Sequence, residues 1–241
     1  MGTRPSFVET NQERLLMALY LKQMLLGPMQ NFVYIVADSE TREAAVIDAA
    51  WDIDALLHAV EEGDLKLKAA LVTHFHPDHL GGNLMGHQIE GAAELLSRNL
   101  PLKVWIHKAE ADYVQRIAGL SRNDLVLTDG TEELTLGDIP LRFLHTPGHT
   151  PGSQCFLVDG RLISGDTLFI GSCGRVDLPG SDPAQMYDSL VNKLKRLPDE
   201  TTLYPGHDYA GKPTSTIAEE KRRNVTMRFE RLEDFLQMMG Y

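Results

Sequence analysis

A short apolar segment that runs into a dense group of histidines is the feature that most constrains this fold. Residues 68–73 (KAALVT) predict a buried strand, and the chain continues directly into HFHPDHLGG, whose Pro and Gly residues end regular structure. His74 and His76 leave the strand two residues apart, so both imidazoles can point to one place. Asp78 and His79 lie on the following turn and can face a second place. Neutral imidazoles and carboxylates suit zinc, iron or manganese, so the segment predicts a metal site; a solvated turn is the alternative.

Three further candidate ligands follow predicted strands later in the chain. His149 ends the stretch TPGH, Asp166 ends SGD, and His207 ends YPGH. In each stretch a glycine precedes the ligand, which lets the backbone turn closely around an ion. Because α/β folds build their sites at strand ends, four such groups predict one shared metal site.

The order of these residues, HxHxDH followed by a lone His, a lone Asp and a last His, resembles the metallo-β-lactamase superfamily. The resemblance covers the chain from about Leu19 onward. It implies an α/β (α+β) fold, an αββα sandwich of two mixed sheets with helices on the outer faces and the metal site at one edge. We therefore expect a single domain over residues 19–241, an N-terminal extension over residues 1–18, and a helical insertion near the site over residues 87–124.

The resemblance also implies a role for each ligand. One ion would be held by His74, His76 and His149, and a second by Asp78, His79 and His207, with Asp166 bridging the two. We expect two divalent metal ions, zinc first, with iron or manganese as alternatives. Two adjacent ions would lower the pKa of a shared water and supply a metal-bound hydroxide as the nucleophile. The predicted catalytic residues, Asp78 and Asp166, would then act as ligands rather than as general bases.

Two branches of the superfamily match this sequence. GDTLF at 165–169, CGR at 173–175 and GHDY at 206–209 resemble glyoxalase II, which hydrolyses hydroxyacylglutathione thioesters with two metal ions. This resemblance implies a hydrolase that cleaves a small thioester or ester. Lactones and phosphoesters stay open as substrates, because the same nucleophile can attack them.

Other stretches are more similar to persulfide dioxygenase, which oxidises glutathione persulfide with one iron. They include QM at 23–24, GRVD at 174–177 and YPGHDYAG at 204–211, together with residues 42–48 and 215–220. In that branch a single iron would be held by His74, His149 and Asp166, two histidines and one carboxylate that leave positions for oxygen and sulfur. A mononuclear non-haem iron dioxygenase is therefore the alternative function.

Arg175 and Tyr209 lie beside the ligand motifs and are the candidate substrate-binding residues. With the basic run 221–223 they could bind an anionic thiol carrier, so a small glutathione-linked molecule is a candidate substrate; the run also fits a charged helix face. No histidine stands beside Cys173 in the sequence to activate a thiol, so we assign this residue a structural role. The remaining histidines are assigned surface or structural roles: His58, His87, His107 and His145.

The charge and the apolar pattern disfavour two classes of partner. The chain has 23 basic and 34 acidic residues, a net charge of −11, which disfavours binding to nucleic acid. No apolar run approaches the ~20 residues that span a bilayer, so no membrane partner is expected. The first residues lack the order of a secretory signal, and Cys155 and Cys173 suit free thiols in a reducing compartment, so we expect a cytoplasmic protein. Residues 1–18 leave a homodimer contact open.

Periodicity and turn residues predict the elements between the motifs. Apolar residues at helical spacing predict a helix that follows Asp52, its N-cap, and ends at Gly63. Another helix starts near Pro183, and further helices are expected over 84–98, 109–118 and 215–239. Strands are expected over residues 31–38, 44–48, 102–107, 141–145, 154–158, 161–164 and 202–204.

Overall fold

Two six-stranded sheets form the core of the protein. A computed structural model describes residues 18–98 and 100–241. Strands and helices are numbered by their position along the chain. The first sheet contains, in spatial order, β1 (Leu19–Leu26), β2 (Asn31–Asp38), β3 (Glu43–Ile47), β4 (Lys66–Leu71), β7 (Lys103–His107) and β8 (Leu125–Thr128). Strands β1 to β3 pair antiparallel, and β3, β4, β7 and β8 pair parallel, so this sheet is mixed.

The second sheet is also mixed. It contains, in spatial order, β16 (Ser215–Thr216), β15 (Thr202–Pro205), β12 (Arg161–Gly165), β11 (Gln154–Val158), β10 (Ile139–His145) and β9 (Glu133–Leu136). Only β12 and β15 run parallel among these described pairs; the others are antiparallel. Two short hairpins lie outside the sheets: β5 (Gly82–Leu84) with β6 (His87–Ile89), and β13 (Leu168–Phe169) with β14 (Ser172–Cys173).

Seven helices are described, and three of them begin at a residue whose side chain caps the first turn. The seven are α1 (Ile53–Glu62), α2 (Pro77–Leu80), α3 (Ala92–Ser97), α4 (Ala111–Ala118), α5 (Pro183–Tyr187), α6 (Ile217–Arg223) and α7 (Leu232–Met239). The Asp52 carboxylate accepts a hydrogen bond from the Ala55 backbone N–H at 2.8 Å and caps α1. Asp182 caps α5 in the same way, with Pro183 in the first turn. The chain continues from α5 through a π-helical stretch, Asp188–Lys193, and a 3₁₀ turn, Leu194–Arg196.

Apolar side chains alternate between the two faces of the strands and form three layers of core. The layer between the sheets includes Phe32, Tyr34, Val36, Phe143, Phe156 and Ile163. The layer outside the first sheet includes Val33, Ile35, Leu56, Leu95 and Val114. The layer outside the second sheet includes Leu157, Leu162, Met186, Leu190 and Phe235. A strand covered on both faces is apolar throughout, as β2 is, and the predicted αββα sandwich is confirmed.

Most predicted strands and helix α1 are confirmed within about two residues at each end. The predicted helix over 84–98 is wrong in its first half, where the β5–β6 hairpin lies, and α3 begins only at Ala92. Gly86 lies in the hairpin turn at φ 91°, a conformation that ends a helix. The backbone at Gly91 passes so close to Leu80 that a Cβ there would collide with the Leu80 carbonyl oxygen, so this chain crossing requires glycine.

The predicted helix over 215–239 is also wrong as a single element. The segment contains β16, α6, a 3₁₀ turn (Val225–Met227) and α7. Asn224 has extended backbone angles, and its side-chain oxygen accepts hydrogen bonds from the Thr226 backbone N–H and hydroxyl at 3.0 and 2.7 Å. This local bonding competes with helix continuation and separates α6 from α7.

The expected insertion over residues 87–124 contains α3 and α4, but it also supplies β7 to the first sheet. The expected extension over residues 1–18 lies outside the described residues except for Ala18, which is buried between the sheets. Cys155 and Cys173 are free and buried. In the described part of the chain, no helix combines the length and apolar character needed to cross a membrane.

Strands β4, β10, β12 and β15 deliver the predicted ligands. His74 follows β4 of the first sheet, whereas His149, Asp166 and His207 follow β10, β12 and β15 of the second. An isolated bridge between Asn31 and His207 joins the two sheets at this edge. The sandwich therefore places one candidate site where its two sheets meet.

Candidate metal centre

The seven predicted ligands lie together at this edge. Their donor atoms form three groups, each with all atoms within 4.8 Å: His74, His76 and His149; Asp78, His79 and His207; and His74, His79 and Asp166. Asp166 lies between the other groups, since one of its carboxylate oxygens is 3.2 Å from His79 Nε2 and the other is 3.6 Å from His149 Nε2. The structure thus brings together every residue that the sequence selected as a ligand.

Imidazole nitrogens face one another across this cluster. His76 Nδ1 lies 3.0 Å from His149 Nε2 and 3.1 Å from His74 Nε2, while the Nε2 atoms of His79 and His207 are 3.1 Å apart. One proton can satisfy only one such pair at a time, whereas a cation can be bound by all the converging lone pairs. Asp166 Oδ1 is buried without a hydrogen-bond partner among the described residues. The donor set therefore fits divalent metal ions.

The outward-facing nitrogen of four imidazoles is held in place. His79 Nδ1 donates to Asp48 at 2.9 Å, His207 Nδ1 to the Met29 carbonyl oxygen at 2.9 Å, and His149 Nδ1 to the Arg175 carbonyl oxygen at 2.8 Å. His74 Nδ1 lies 3.0 Å from the Thr73 hydroxyl, which itself donates to Asp48. These contacts fix the tautomer in which Nε2 carries a lone pair toward the cluster.

Burial and neighbouring charges shift the pKa values of the histidines in the cluster in opposite directions. Burial, then the proximity of His79, lowers the pKa of His74 well below its ordinary value, and burial with His149 lowers that of His76 to about 4. Burial also opposes the charge on His79, but the carboxylates of Asp166 and Asp78 together raise its pKa well above the ordinary value. Burial would raise the pKa of Asp166, yet His79 and His207 lower it well below the usual range. The two carboxylates therefore favour a proton on His79, and a bound metal ion would compete with that proton.

The family model for the metallo-β-lactamase superfamily matches residues 26–207, a span that includes all seven candidate ligands. The chain belongs to the metallo-β-lactamase superfamily.

Relatives within the superfamily carry different activities in their names. A probable polyketide biosynthesis zinc-dependent hydrolase, BaeB, of Bacillus velezensis is 32% identical, with 86% of this chain and 85% of the relative covered. The human mitochondrial persulfide dioxygenase ETHE1 is also 32% identical, with 92% and 81% covered. A hydroxyacylglutathione hydrolase-like protein of Gallus gallus is 40% identical, but the match covers 74% of this chain and only 58% of the relative. The relatives of this chain within the superfamily thus include both hydrolases and dioxygenases by name.

Solved structures of the superfamily agree with the fold. The crystal structure of ETHE1 from Myxococcus xanthus has a TM-score of 0.77 and 31% identity, and covers 91% of this chain and 89% of that one. TTHA1623 in a di-iron-bound form has a TM-score of 0.66 and 32% identity, with 85% and 98% covered. Zinc and iron both occur in these names, so the metal that the cluster could bind is not determined by membership of the superfamily.

A cavity of about 450 Å³ opens onto the cluster of candidate metal ligands. Its wall is formed by Met29, His76, Pro77, Asp78, Leu84, Met85, His149, Asp166, Phe169, Arg175, Leu178, His207 and Tyr209. A volume of this size is typical of a small-molecule site. No described residue of the expected insertion 87–124 contributes to this wall.

Both predicted substrate-binding residues line the cavity. Tyr209 stacks on His207, with ring centroids 4.5 Å apart, and burial raises the pKa of its phenol to about 12. The exposed guanidinium of Arg175 makes two hydrogen bonds to Asp177, at 2.9 and 2.8 Å. The basic run 221–223 lies away from the cavity wall, where Lys221 pairs with Asp199 and Arg223 with Glu219.

The remaining predicted residues have structural surroundings. Burial raises the pKa of the Cys173 thiol to about 12, which leaves too little thiolate for a nucleophile. His107 and His145 stack with centroids 3.9 Å apart, and burial followed by His145 lowers the pKa of His107 to about 4. His58 is an exposed partner of Glu62, and His87 is exposed.

Sequence reasoning missed Asn31, which contacts the candidate ligand Asp78 and the indole of Trp51. Its amide nitrogen donates to the backbone oxygen of Asp78 at 3.0 Å and to the Asp78 carboxylate at 3.1 Å. Its amide oxygen accepts a hydrogen bond from the Trp51 indole N–H at 2.9 Å. The one signal in the sequence was a polar residue at the start of an otherwise apolar strand, NFVYIVAD.

Glu110 was also missed. This fully buried carboxylate accepts a hydrogen bond from the Phe75 backbone N–H at 2.8 Å and one from the Gly152 backbone N–H at 2.6 Å. Phe75 lies between two candidate ligands after β4, and Gly152 follows His149, so Glu110 connects loops from both sheets. A glutamate at the start of a helix has no feature that distinguishes it in the sequence from a solvated one.

Proposed function

We propose that this chain is a metal-dependent hydrolase that cleaves a small thioester or ester. The observation that carries the proposal is a pair of three-donor groups, His74, His76 and His149 with Asp78, His79 and His207, that Asp166 joins at the floor of a cavity. We expect each group to hold one divalent ion, with zinc as the first candidate. The proposal thus gives all seven residues a ligand role, and Asp78 and Asp166 a place next to the reacting atoms.

Bound metal ions would supply a nucleophilic water at neutral pH and stabilise the charge that develops on the carbonyl oxygen. The chain's own residues position these ions. Asp48, Met29 and Arg175 hold the imidazoles through their outward nitrogens, and Asn31 holds the carboxylate of Asp78. Apolar side chains, among them Leu84, Phe169 and Leu178, line the cavity around this floor.

The names of two relatives support a hydrolase. The Bacillus velezensis protein is called a zinc-dependent hydrolase, and the Gallus gallus protein is called hydroxyacylglutathione hydrolase-like. The second name fits a thioester substrate, and the first fits zinc. We therefore place zinc-dependent thioester hydrolysis ahead of lactone and phosphoester cleavage.

The Asp166→Ala variant tests the proposal because Asp166 is the residue common to both metal positions. Protein purified without added metal should contain near two ions per chain by elemental analysis, and the variant should contain fewer. Its kcat/KM for a thioester should fall by more than about a hundredfold, since even residues that only support metal ligands cost up to that much. Asp54→Ala, which removes an exposed carboxylate of α1, is the matched control and should keep both values.

Full metal content and full hydrolysis in Asp166→Ala would overturn the proposal. So would a panel of thioesters, esters and lactones that the zinc-loaded wild-type protein leaves intact.

A sulfur dioxygenase is the second candidate. It is favoured by the human and Myxococcus xanthus persulfide dioxygenases named ETHE1, which match over 91–92% of this chain. In this case a single iron would be held by His74, His149 and Asp166, and the other donors would support it. Iron-loaded protein should then consume oxygen with glutathione persulfide. Near one iron per chain with such uptake would replace the hydrolase proposal, and no uptake would exclude the dioxygenase.

A further inference from the structure

The tip of the β5–β6 hairpin presents an unusual residue to the cavity. Met85 and Gly86 form its two-residue turn, and both have positive φ, 51° and 91°, as in a type I′ turn. Asparagine followed by glycine is the usual pair for this turn, and methionine is disfavoured at positive φ. Met85 is nevertheless 95% exposed, and it is one of the residues that line the cavity. An apolar side chain in this strained, solvated position gains burial only when a ligand covers it.

The other wall of the cavity is apolar as well. The rings of Phe169 and Tyr209 make an edge-to-face contact with centroids 5.3 Å apart, and Tyr209 is 60% exposed. Met29, Leu84 and Leu178 complete the wall above the metal ligands. The unbranched thioether of methionine adapts to irregular apolar surfaces, so this wall suits a flexible hydrocarbon.

Charged groups give a polyanionic ligand little to bind. Arg175 is the only lysine or arginine in the cavity wall among the described residues, and its guanidinium is already paired with Asp177. The chain also has a net charge of −11, which repels anions at long range. A thiol carrier with several carboxylates therefore lacks partners in this wall.

We infer that the cavity takes substrates with an apolar, straight acyl chain, and that Met85 is a specificity-determining contact for that chain. This inference rests on the proposed hydrolase and names its substrate class. The reactive carbonyl would lie at the metal ligands, and the hydrocarbon would extend between the hairpin tip and the Phe169–Tyr209 wall. The glutathione-linked substrate that the sequence suggested becomes the competing outcome.

A series of N-acetylcysteamine thioesters with acetyl, butyryl, hexanoyl and octanoyl groups tests this substrate class. Because a buried methylene contributes a roughly constant free energy, kcat/KM of the zinc-loaded wild-type protein should rise about two- to fourfold per methylene until the cavity is filled. S-lactoylglutathione should react more slowly than the hexanoyl thioester. A flat series, or faster reaction of the glutathione thioester, would overturn the inference.

The Met85→Asn variant separates specificity from folding. It creates the Asn-Gly pair that the turn prefers, so the melting temperature should be kept or raised, while the apolar contact is lost. The ratio of kcat/KM for hexanoyl over acetyl thioester should fall about five- to tenfold. Met238→Asn changes an exposed methionine of α7 that is not in the cavity wall and should leave this ratio unchanged. An unchanged ratio in Met85→Asn would overturn the role of Met85.

Binding of straight-chain alkanehydroxamic acids to zinc-loaded protein distinguishes failure of the inference from failure of the proposed function. Affinity that rises with chain length in the wild-type protein, and rises less in Met85→Asn, supports the inference even if no thioester is hydrolysed. Affinity that is independent of chain length contradicts it, whether or not thioesters are substrates.

Discussion

At the scale of single residues, Glu110 joins two loops that come from different sheets. Two backbone N–H groups donate to its carboxylate and favour the charged form, but burial outweighs them and raises its pKa from 4.5 to about 7. The carboxyl group therefore has two functions in conflict: it orders the loops best when charged, and it is buried most easily when neutral. Its protonation should be visible in the stability of the protein.

The Glu110→Gln variant removes this titration. A group whose pKa is raised on folding contributes stability that is fully present below its unfolded pKa of 4.5 and is lost as the pH rises through about 7. The free energy of unfolding of the wild type, relative to Glu110→Gln, should therefore fall by about 2–3 kcal/mol between about pH 5 and pH 8. Urea denaturation of chelator-treated proteins measures this difference.

Glu61→Gln is the control, because Glu61 is an exposed glutamate of α1. It should show a difference from wild type that does not change with pH. If the free energies of unfolding of wild type and Glu110→Gln change with pH in parallel, the Glu110 carboxyl does not titrate in this range.

At the scale of elements, the break between α6 and α7 supports one wall of the cavity. The amide nitrogen of Asn224 donates to the backbone oxygens of Phe169 and Ser172, at 3.1 and 2.9 Å, at the two ends of the β13–β14 turn. Glu220 accepts hydrogen bonds from the Gly171 backbone N–H at 2.7 Å and from Asn224 at 2.9 Å. The residue that ends helix α6 thus also holds the hairpin that carries Phe169.

The Asn224→Ala variant should lower the free energy of unfolding by about 2–4 kcal/mol. The reason is that it removes the donor to the buried Phe169 carbonyl oxygen, to the partly buried Ser172 carbonyl oxygen and to one carboxylate oxygen of Glu220. Asn192→Ala removes an exposed amide that donates a hydrogen bond to Asp188 on the surface. It should change the free energy of unfolding by no more than about 0.5 kcal/mol. Denaturant unfolding of both variants checks this, and equal stabilities would contradict the role of Asn224.

The sequence predicted the strands well and selected candidate ligands that the structure brings together, because the signals of both are local. Strands such as β2 and β11 are continuous apolar runs, and each ligand stands where a run ends in Gly, Pro or Asp. The hairpin turn at Met85 escaped prediction because Met-Gly lacks turn chemistry. The break at Asn224 escaped because asparagine is also compatible with a helix, and its bonds to Thr226 and to the distant Phe169 become visible only in the fold.

The supporting residues of the site could not be predicted for a similar reason. Asn31 reaches Asp78 across 47 residues and Glu110 reaches Gly152 across 42, so neither has a neighbour in the sequence that reveals its role. Residue type gave no help, since asparagine and glutamate are usually exposed. Only the packing of the two sheets brings these side chains to the ligands.

At the scale of the whole molecule, metal binding should stabilise the sandwich. The ligands come from both sheets, and the unfolded chain does not hold them together. An ion present at a hundredfold excess over its Kd adds about 2.7 kcal/mol to the native state. In a chain with a net charge of −11, bound divalent cations would also reduce electrostatic repulsion.

Removal of the metal with a chelator should therefore lower the melting temperature by about 5–10 °C, and zinc should restore it. Differential scanning calorimetry measures the change. Asp166→Ala should show a smaller rise of the melting temperature with zinc than the wild type does. Identical melting temperatures for metal-loaded and chelator-treated wild type would show that the cluster contributes no binding energy to folding.

The bridge between β2 and the loop after β15 has a consequence for the order of folding. His207 donates to the Met29 carbonyl oxygen, a contact that spans 178 residues, and it faces His79 across 128. Contacts of such high sequence separation are slow to form because the intervening chain must first lose its entropy. We expect the second metal position to be assembled among the last steps of folding. Tight metal binding would then require that the two sheets have already packed against each other.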